Sequence, residues 1–387
     1  MIPFTKPTLA PGTLENIHTV LENGHVSGDG LFTRRASQQL TTLLGGSASV
    51  LLTTSCTHAL EMIALLLGIS PGDEVVLPSY TFSSTANAFR LRGARLRFAD
   101  VDPTTFSMGP RQAEAAMTDR TVAVMAVHYG GVPEQVEALA ALCQSRGVAL
   151  VEDNAHGLLA SVHGQPLGTF GRMSALSFHA TKNISCGEGG ALVLNAPEDD
   201  RLAAEILRDK GTDRSRYLRG EVDRYTWRGV GSSYLPSDLL AAVLVAQLDH
   251  ADAIQRQRHA LWQAYRRVLE PEAERLGIVL QRIPEGVAHP AHLFALLVPE
   301  SVGREPILEQ MRQAQIKATS HYEPLHRAPA HDGGEELPVT DALQRRLIRL
   351  PLFTELTVAQ AEQIGQTLIA SIEAALRHAA HKPCAKS

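Results

Sequence analysis

From about residue 50 the chain sets short apolar or β-branched runs against stretches of helical period. VLLT (50–53) precedes THALEMIALLLG, in which Leu60, Ile63, Ala64 and Leu67 share a face. EVVLP, RLRFAD, VAVMAV and VALVED repeat the short-run theme. Between them lie the helical STANAFRLRG, a turn at AEAAM and the helical PEQVEALAALCQSRG. Such alternation predicts βαβ units, an α/β fold with helices covering both faces of a mostly parallel sheet.

After VALVED the pattern changes to hairpin-like runs, SALSFH and ALVLN, and then to the helical EDDRLAAEILRDKG. One long helical stretch, 237–269, leads away from the sheet. A smaller α/β unit follows, with strands IVLQRI, HLFALLVP and KATSHY around the helix REPILEQMRQAQ. A last helix ends in a tail expected to fray. The division expected is a large unit over residues 1–250, including an N-terminal arm, and a small C-terminal unit over residues 251–387.

Composition narrows the partners. A net charge of −5 with both signs interspersed gives no footprint for nucleic acid. No apolar run reaches membrane-spanning length, and MIPFTKPTLAPG does not read as a secretory leader. Cys56, Cys143, Cys186 and Cys384 show no CxxC spacing and read as reduced thiols. A cytoplasmic location is therefore expected.

In open α/β sheets, ligands collect in the loops beyond the carboxyl ends of the strands. After VLLT, Ser55, Cys56 and Thr57 open a helix, where small residues serve either as ordinary caps or as a phosphate cup. Phe82, after EVVLP, is either a core residue or a face for a planar ring. Asp153 ends an apolar strand, where a carboxylate needs a cation, a capping role or a protonated ring nitrogen. His156 follows three residues later, with no second ligand at metal spacing. In SFHATKNISCGEGG, Lys182 stands between two apolar runs, with Ser177 before it and a glycine turn behind it. A lysine held there suits Schiff-base chemistry with an aldehyde. Phosphate cup, aromatic face, acid and lysine together are the parts that pyridoxal 5′-phosphate requires.

The order of these motifs resembles the DegT/DnrJ/EryC1/StrS sugar aminotransferases, within fold type I of the pyridoxal-phosphate enzymes. The likeness runs through SGDGLFTRR, TTSCTHALEM, PGDEVVLPSYTFSSTANAFRLRGA, VEDNAHG, GTFGRMSALSFHATKN, HYEPLH and RLIRLPLF. It implies a large domain with a seven-stranded-type sheet, a small C-terminal domain, and a homodimer with active sites at the subunit interface. By that resemblance Lys182 is the Schiff-base lysine and proton carrier, Asp153 holds the pyridinium, and His156 lies beside the cofactor. Phe82 stacks on the ring, and Cys56, Thr57 and Ser177 bind phosphate. In the segment Gly231-Ser232-Ser233-Tyr234-Leu235-Pro236, Ser233 stands where many members carry the Asn that reaches the partner's phosphate. Arg34 or Arg35, Lys210, Arg214, His321 and Tyr322 are candidates for substrate contact.

The resemblance is narrowest to the branch that forms dTDP-4-amino-4,6-dideoxygalactose from a dTDP-4-keto-6-deoxyhexose, with glutamate as the expected donor. The alternatives are another nucleotide-sugar 3- or 4-aminotransferase, with a gluco product or a UDP or GDP sugar, and a non-catalytic pyridoxal-phosphate binder. Lys182 argues against the family's dehydratases, which carry His there. The missing early GxGxxG argues against a nicotinamide enzyme.

Overall fold

The computed structural model describes residues 1–195 and 198–380. The strands of the main sheet are β1 (Ser49–Thr53), β2 (Glu74–Pro78), β3 (Arg95–Ala99), β4 (Thr121–Val127), β5 (Ala149–Asp153), β8 (Met173–Ser177) and β9 (Gly190–Leu194). They form seven strands in the order β1-β9-β8-β5-β4-β2-β3. Only β9 runs against the others, pairing antiparallel with both β1 and β8. Two short strands, β6 (Ser161–Val162) and β7 (Gln165–Pro166), lie between β5 and β8 in sequence; β6 pairs with β7 on one side and with β11 (Val287–Ala288) on the other.

The helices that flank this sheet begin with α1 (Thr13–Asn23), α2 (Leu31–Leu43), α3 (Cys56–Leu66) and α4 (Ser83–Arg90). They continue with α5 (Pro110–Ala116), α6 (Val136–Arg146), α7 (Glu198–Arg208), α8 (Arg214–Leu218) and α9 (Asp238–Asp249). Apolar residues of α3 and α4, among them Leu60, Ile63 and Phe89, pack with Leu77 and Met125 of the sheet. On the other side Phe32, Leu40 and Leu244 of α2 and α9 pack with Leu52, Leu176 and Val193. Both faces are thus covered, which is why the central strands read as continuous apolar runs.

Beyond the large sheet come α10 (Ala251–Leu269), α11 (Ala273–Leu276), α12 (Glu305–Gln313), α13 (Pro338–Arg346) and α14 (Val358–Ala380). The strands there are β10 (Val279–Leu280), β12 (Phe294–Leu297) and β13 (Leu347–Leu350), forming a three-stranded sheet in that order. Its core joins Leu261, Tyr265, Phe294, Ile348 and Leu368.

Four expected elements differ. AEAAM is not a turn: it lies in α5, which Pro110 starts and whose Ala113 is buried. The stretch 237–269 is two helices, because His250 leaves helical geometry at φ −112° and ψ 12°. IVLQRI is a strand only at Val279 and Leu280; Gln281 turns aside to donate to the carbonyls of Thr105 and Tyr129 at 2.8 and 3.0 Å. KATSHY makes one bridge, Thr319 to Arg349, and no strand. The hydroxyls of Tyr80 and Tyr129 draw the His321 carbonyl to the large sheet instead, at 2.6 and 2.9 Å.

Among the described residues no helix is long and apolar enough to cross a membrane, and no His/Cys/Asp/Glu group could hold a metal. Cys56, Cys143 and Cys186 are free thiols. Cys384 and the tail expected to fray lie outside the described residues.

Candidate active site

Local geometry brings the strand ends together. Ser55 caps α3, its hydroxyl accepting from the His58 N–H at 3.2 Å. The first backbone N–H groups of a helix have no partner inside it. Those of Cys56 and Thr57 have none among the described residues. Gly190 starts β9 directly against this helix end, paired to Thr53 on one side and Ser177 on the other. A Cβ at Gly190 would sit 2.3 Å from the Cys56 nitrogen, so only glycine permits the approach. Thr57 reaches Ser84 in the first turn of α4, hydroxyl to hydroxyl, at 2.8 Å. Two helix N-termini therefore converge on one hollow.

That hollow is a cavity of about 350 Å³ beyond the carboxyl ends of β1, β2, β4 and β5. Cys56, Thr57, Phe82, Asp153, His156, Ser177, Lys182, His321 and Tyr322 all line it. Asp153 accepts from the Thr85 hydroxyl at 2.8 Å and the Ala155 N–H at 3.2 Å. Phe82, 58 % exposed, stands at the cavity edge, with its ring 6.2 Å from that of Tyr322.

Lys182 is half-buried in a turn closed by its own N–H to the His179 carbonyl at 2.9 Å. Burial pulls the ammonium down to about 8, with Cys56 and Asp153 opposing the shift and Arg349 adding to it. No hydrogen bond to its Nζ occurs among the described residues. The next residue anchors the turn: the Asn183 amide donates to the Pro290 carbonyl at 2.7 Å, and its oxygen pairs with His292 Nδ1 at 2.8 Å. Burial, with Asp153 nearby, raises the Cys56 thiol, which stays protonated.

His156 is held far below the ordinary imidazole range by burial and then by Lys182, Arg349 and His321. It is neutral, and the Gly130 N–H donates to its Nδ1 at 3.2 Å. That assigns the proton to Nε2, which donates to the Tyr322 hydroxyl at 3.3 Å and leaves the phenol proton free. His292 stacks on His156 at 4.3 Å.

The remaining expected residues lie outside this cavity. Ser233 is exposed and bridges to Asp209. Asp209 also takes both Lys210, at 2.7 Å, and Arg214, at 3.4 Å. Arg34 donates to the Asp29 carbonyl at 2.7 Å, and Arg35 pairs with Asp249 at 2.7 Å. Sequence reading missed Phe4, Ser84, Thr85, His128, His292 and Arg349, which also line the cavity. Arg349 carried a signal, a cation inside the apolar run LIRLPLF.

A seven-stranded, mostly parallel sheet flanked by helices, with this lysine and aspartate beyond its strand ends, is the fold type I architecture of pyridoxal-phosphate aminotransferases. The chain matches the family model "DegT/DnrJ/EryC1/StrS aminotransferase family" over residues 8–369. It is 30% identical to the aminotransferase TlmJ from Streptoalloteichus hindustanus, covering 97% of this chain and 99% of that one, with a TM-score of 0.89. A DegT DnrJ EryC1 StrS aminotransferase from Brucella abortus is 25% identical, covering 92% and 94%, with a TM-score of 0.82. Helicobacter pylori PseC, an aminotransferase involved in the biosynthesis of pseudoaminic acid, is 21% identical over 96% and 99%, TM-score 0.86, a likeness of fold.

The chain belongs to the DegT/DnrJ/EryC1/StrS aminotransferase family. It is an enzyme, a pyridoxal 5′-phosphate-dependent sugar aminotransferase. The cavity fits that cofactor on four counts: unpartnered N–H groups at a helix end, one buried carboxylate, an exposed aromatic face and a lysine with a free Nζ.

Proposed function

We propose that this enzyme moves an amino group from glutamate to the C4 keto carbon of a dTDP-4-keto-6-deoxyhexose, giving dTDP-4-amino-4,6-dideoxygalactose. The observation that carries the site assignment is Lys182, half-buried, lowered to about 8 and sharing one cavity with Asp153. The substrate assignment is supported by the resemblance through SGDGLFTRR, HYEPLH and RLIRLPLF.

When bound, pyridoxal 5′-phosphate supplies an aldehyde that carries the amino group and a ring that withdraws electrons from the reacting carbon. Burial lowers the Lys182 ammonium to about 8, which raises the share of neutral Nζ near neutrality, the form that attack on a carbonyl requires. The same nitrogen, when neutral, could also accept a proton and return it. Asp153, steadied by Thr85 and the Ala155 N–H, would hold the ring nitrogen and favour a proton on it. Ser177 and the N–H groups of Cys56 and Thr57 would hold the phosphate at the positive end of α3. Phe82 offers its open face to the ring. His156 stays neutral and adds no cation beside Lys182.

The working unit in this reading is a homodimer whose Ser233 reaches the partner's phosphate. Exposure of Ser233, Tyr225, Trp227 and Val230 on one stretch supports it. Residues 1–250 then form the cofactor-binding domain and 251–387 the smaller one, consistent with the separate cores on the two sheets.

Incubation with dTDP-4-keto-6-deoxyglucose and glutamate, followed by NMR, tests the reaction. An axial C4 amine with stoichiometric 2-oxoglutarate supports the proposal. An equatorial amine replaces the product by its gluco epimer, and turnover only with UDP or GDP sugars replaces the substrate; both keep the chemistry.

A further inference from the structure

A second cavity, of about 310 Å³, lies across the lysine turn from the first. His179 and Thr181 line the cofactor cavity, Ala180, Asn183 and Ser185 line this one, and Lys182 borders both. The rest of its wall comes from residues 5–11 and from the junction of α9 and α10, and no Asp or Glu lines it. A cavity of this size suits a small organic molecule.

Two buried polar groups of the wall lack partners. Arg258, in α10, is 5 % exposed. Its Nε donates to the Ala291 carbonyl at 3.1 Å and its Nη2 to the His292 carbonyl at 2.6 Å. Among the described residues Nη1 has no hydrogen-bond partner, and no carboxylate reaches the guanidinium within ion-pair distance. Burial pulls Arg258 down to about 9, so it is charged at neutral pH. Two carbonyls give a buried cation hydrogen bonds but no counter-charge. Ser185, 8 % exposed, makes no side-chain hydrogen bond among the described residues. Lys6, on the same wall, is already paired with Glu355. Beside these groups the wall turns apolar, through Pro7, Leu9, Pro11 and Ile254, and Leu9 is 65 % exposed.

We propose that this cavity binds a small organic carboxylate, its oxygens accepting from Arg258 Nη1 and the Ser185 hydroxyl and its apolar body lying against Leu9 and Ile254. The site is separate from the cofactor cavity and does not depend on the reaction proposed above. A cation and a hydroxyl with no acid nearby select an anion. The apolar wall selects one that carries hydrocarbon, because inorganic phosphate would turn unpaired oxygens towards Leu9 and Ile254. Ser185 lies three residues beyond Lys182, so an occupant that engages it braces the lysine turn.

Acetate, valerate and inorganic phosphate, titrated separately by calorimetry into the pyridoxal-loaded enzyme, test this. Valerate adds three methylenes to acetate and is expected to bind about tenfold tighter or more, with phosphate the weakest. Arg258→Gln should weaken valerate about 10- to 100-fold. That variant also alters the hold on the Ala291 and His292 carbonyls, so Ala253→Asp is measured beside it. Ala253 is exposed in the first turn of α10 and lines the cavity, a helix position that favours an acid. Its new carboxylate should repel valerate about tenfold without disturbing the fold. Hydrogen exchange of the peptide over residues 180–186 should slow when valerate is added to the wild type. A lowered thermal midpoint identifies a misfolded Arg258→Gln, in which case Ala253→Asp is the one read. Phosphate binding more tightly than valerate, or valerate no tighter than acetate, overturns the organic-carboxylate assignment. Valerate binding unchanged in the folded variants, or exchange over 180–186 unmoved by it, puts the ligand elsewhere and overturns the site. Failure of the proposed sugar reaction leaves each of these measurements readable.

Discussion

The Thr85 hydroxyl donates to the Asp153 carboxylate at 2.8 Å, tying the first turn of α4 to the end of β5. Thr81 joins the chain through its own hydroxyl, 2.8 Å from that of Thr85. Asp153 is thus held by a residue remote in sequence, on the neighbouring side of the cavity.

Replacing Thr85 by Val keeps the side-chain shape and removes that bond. A hydrogen bond to a charged group contributes about 1.5–3 kcal/mol. Thr85→Val should weaken cofactor binding roughly tenfold, read by fluorescence titration of apoenzyme with pyridoxal 5′-phosphate. Unchanged affinity would show that Asp153 is held without Thr85.

The lowered Lys182 implies a specific pH dependence. Burial disfavours the ammonium, so with a value of about 8 roughly a tenth of Lys182 is neutral at pH 7, against about 1 in 3000 at the ordinary 10.5. Cofactor capture by apoenzyme, followed by stopped-flow absorbance, should rise with pH and level off above about 8. For stability, the unfolded lysine keeps its proton to about 10.5 while the folded one releases it at about 8. Between those values the unfolded state binds more protons, so this group makes the apoenzyme more stable as pH rises. A capture rate still climbing steeply at pH 10 would contradict the lowered value.

Gly190→Ala tests the close approach that builds the helix end. The added Cβ would meet the Cys56 nitrogen and the Ser55 carbonyl carbon, each at 2.3 Å, and both are backbone atoms unable to step aside. We expect a loss of about 1–3 kcal/mol in urea unfolding, together with poorer cofactor retention. Wild-type stability and full cofactor content would mean that the two backbones can separate freely.

Asn183→Ala removes the anchor on the turn that carries Lys182, leaving the Pro290 carbonyl and His292 Nδ1 without their partner. Turnover should fall by about tenfold or more, because a misplaced reacting group loses orientation. The cofactor should still attach to Lys182, which a mass spectrum of the reduced enzyme checks.

The alternation of strands and helices was legible because each face of the sheet is covered, so apolar runs and helical periods survive in the sequence. Lys182 and Asp153 were legible because a charge beside apolar strands demands a partner. Thr85 and Ser84 were not, since a hydroxyl in a helix's first turn looks like a cap until α3 and β5 are placed against it. KATSHY has strand character, yet two tyrosine hydroxyls of the large sheet take its carbonyl. The two tyrosine contacts join residues more than a hundred positions apart, and local pattern carries no trace of them. Arg349 fell between these cases: its place in an apolar run was visible, while its place in the cavity became visible only in three dimensions.

The most direct measurement is borohydride reduction of the pyridoxal-loaded enzyme followed by peptide mapping. One pyridoxyl adduct is expected, on Lys182, with none in a folded Lys182→Ala variant. An adduct on another lysine, or multiple turnovers by that variant, would contradict the account.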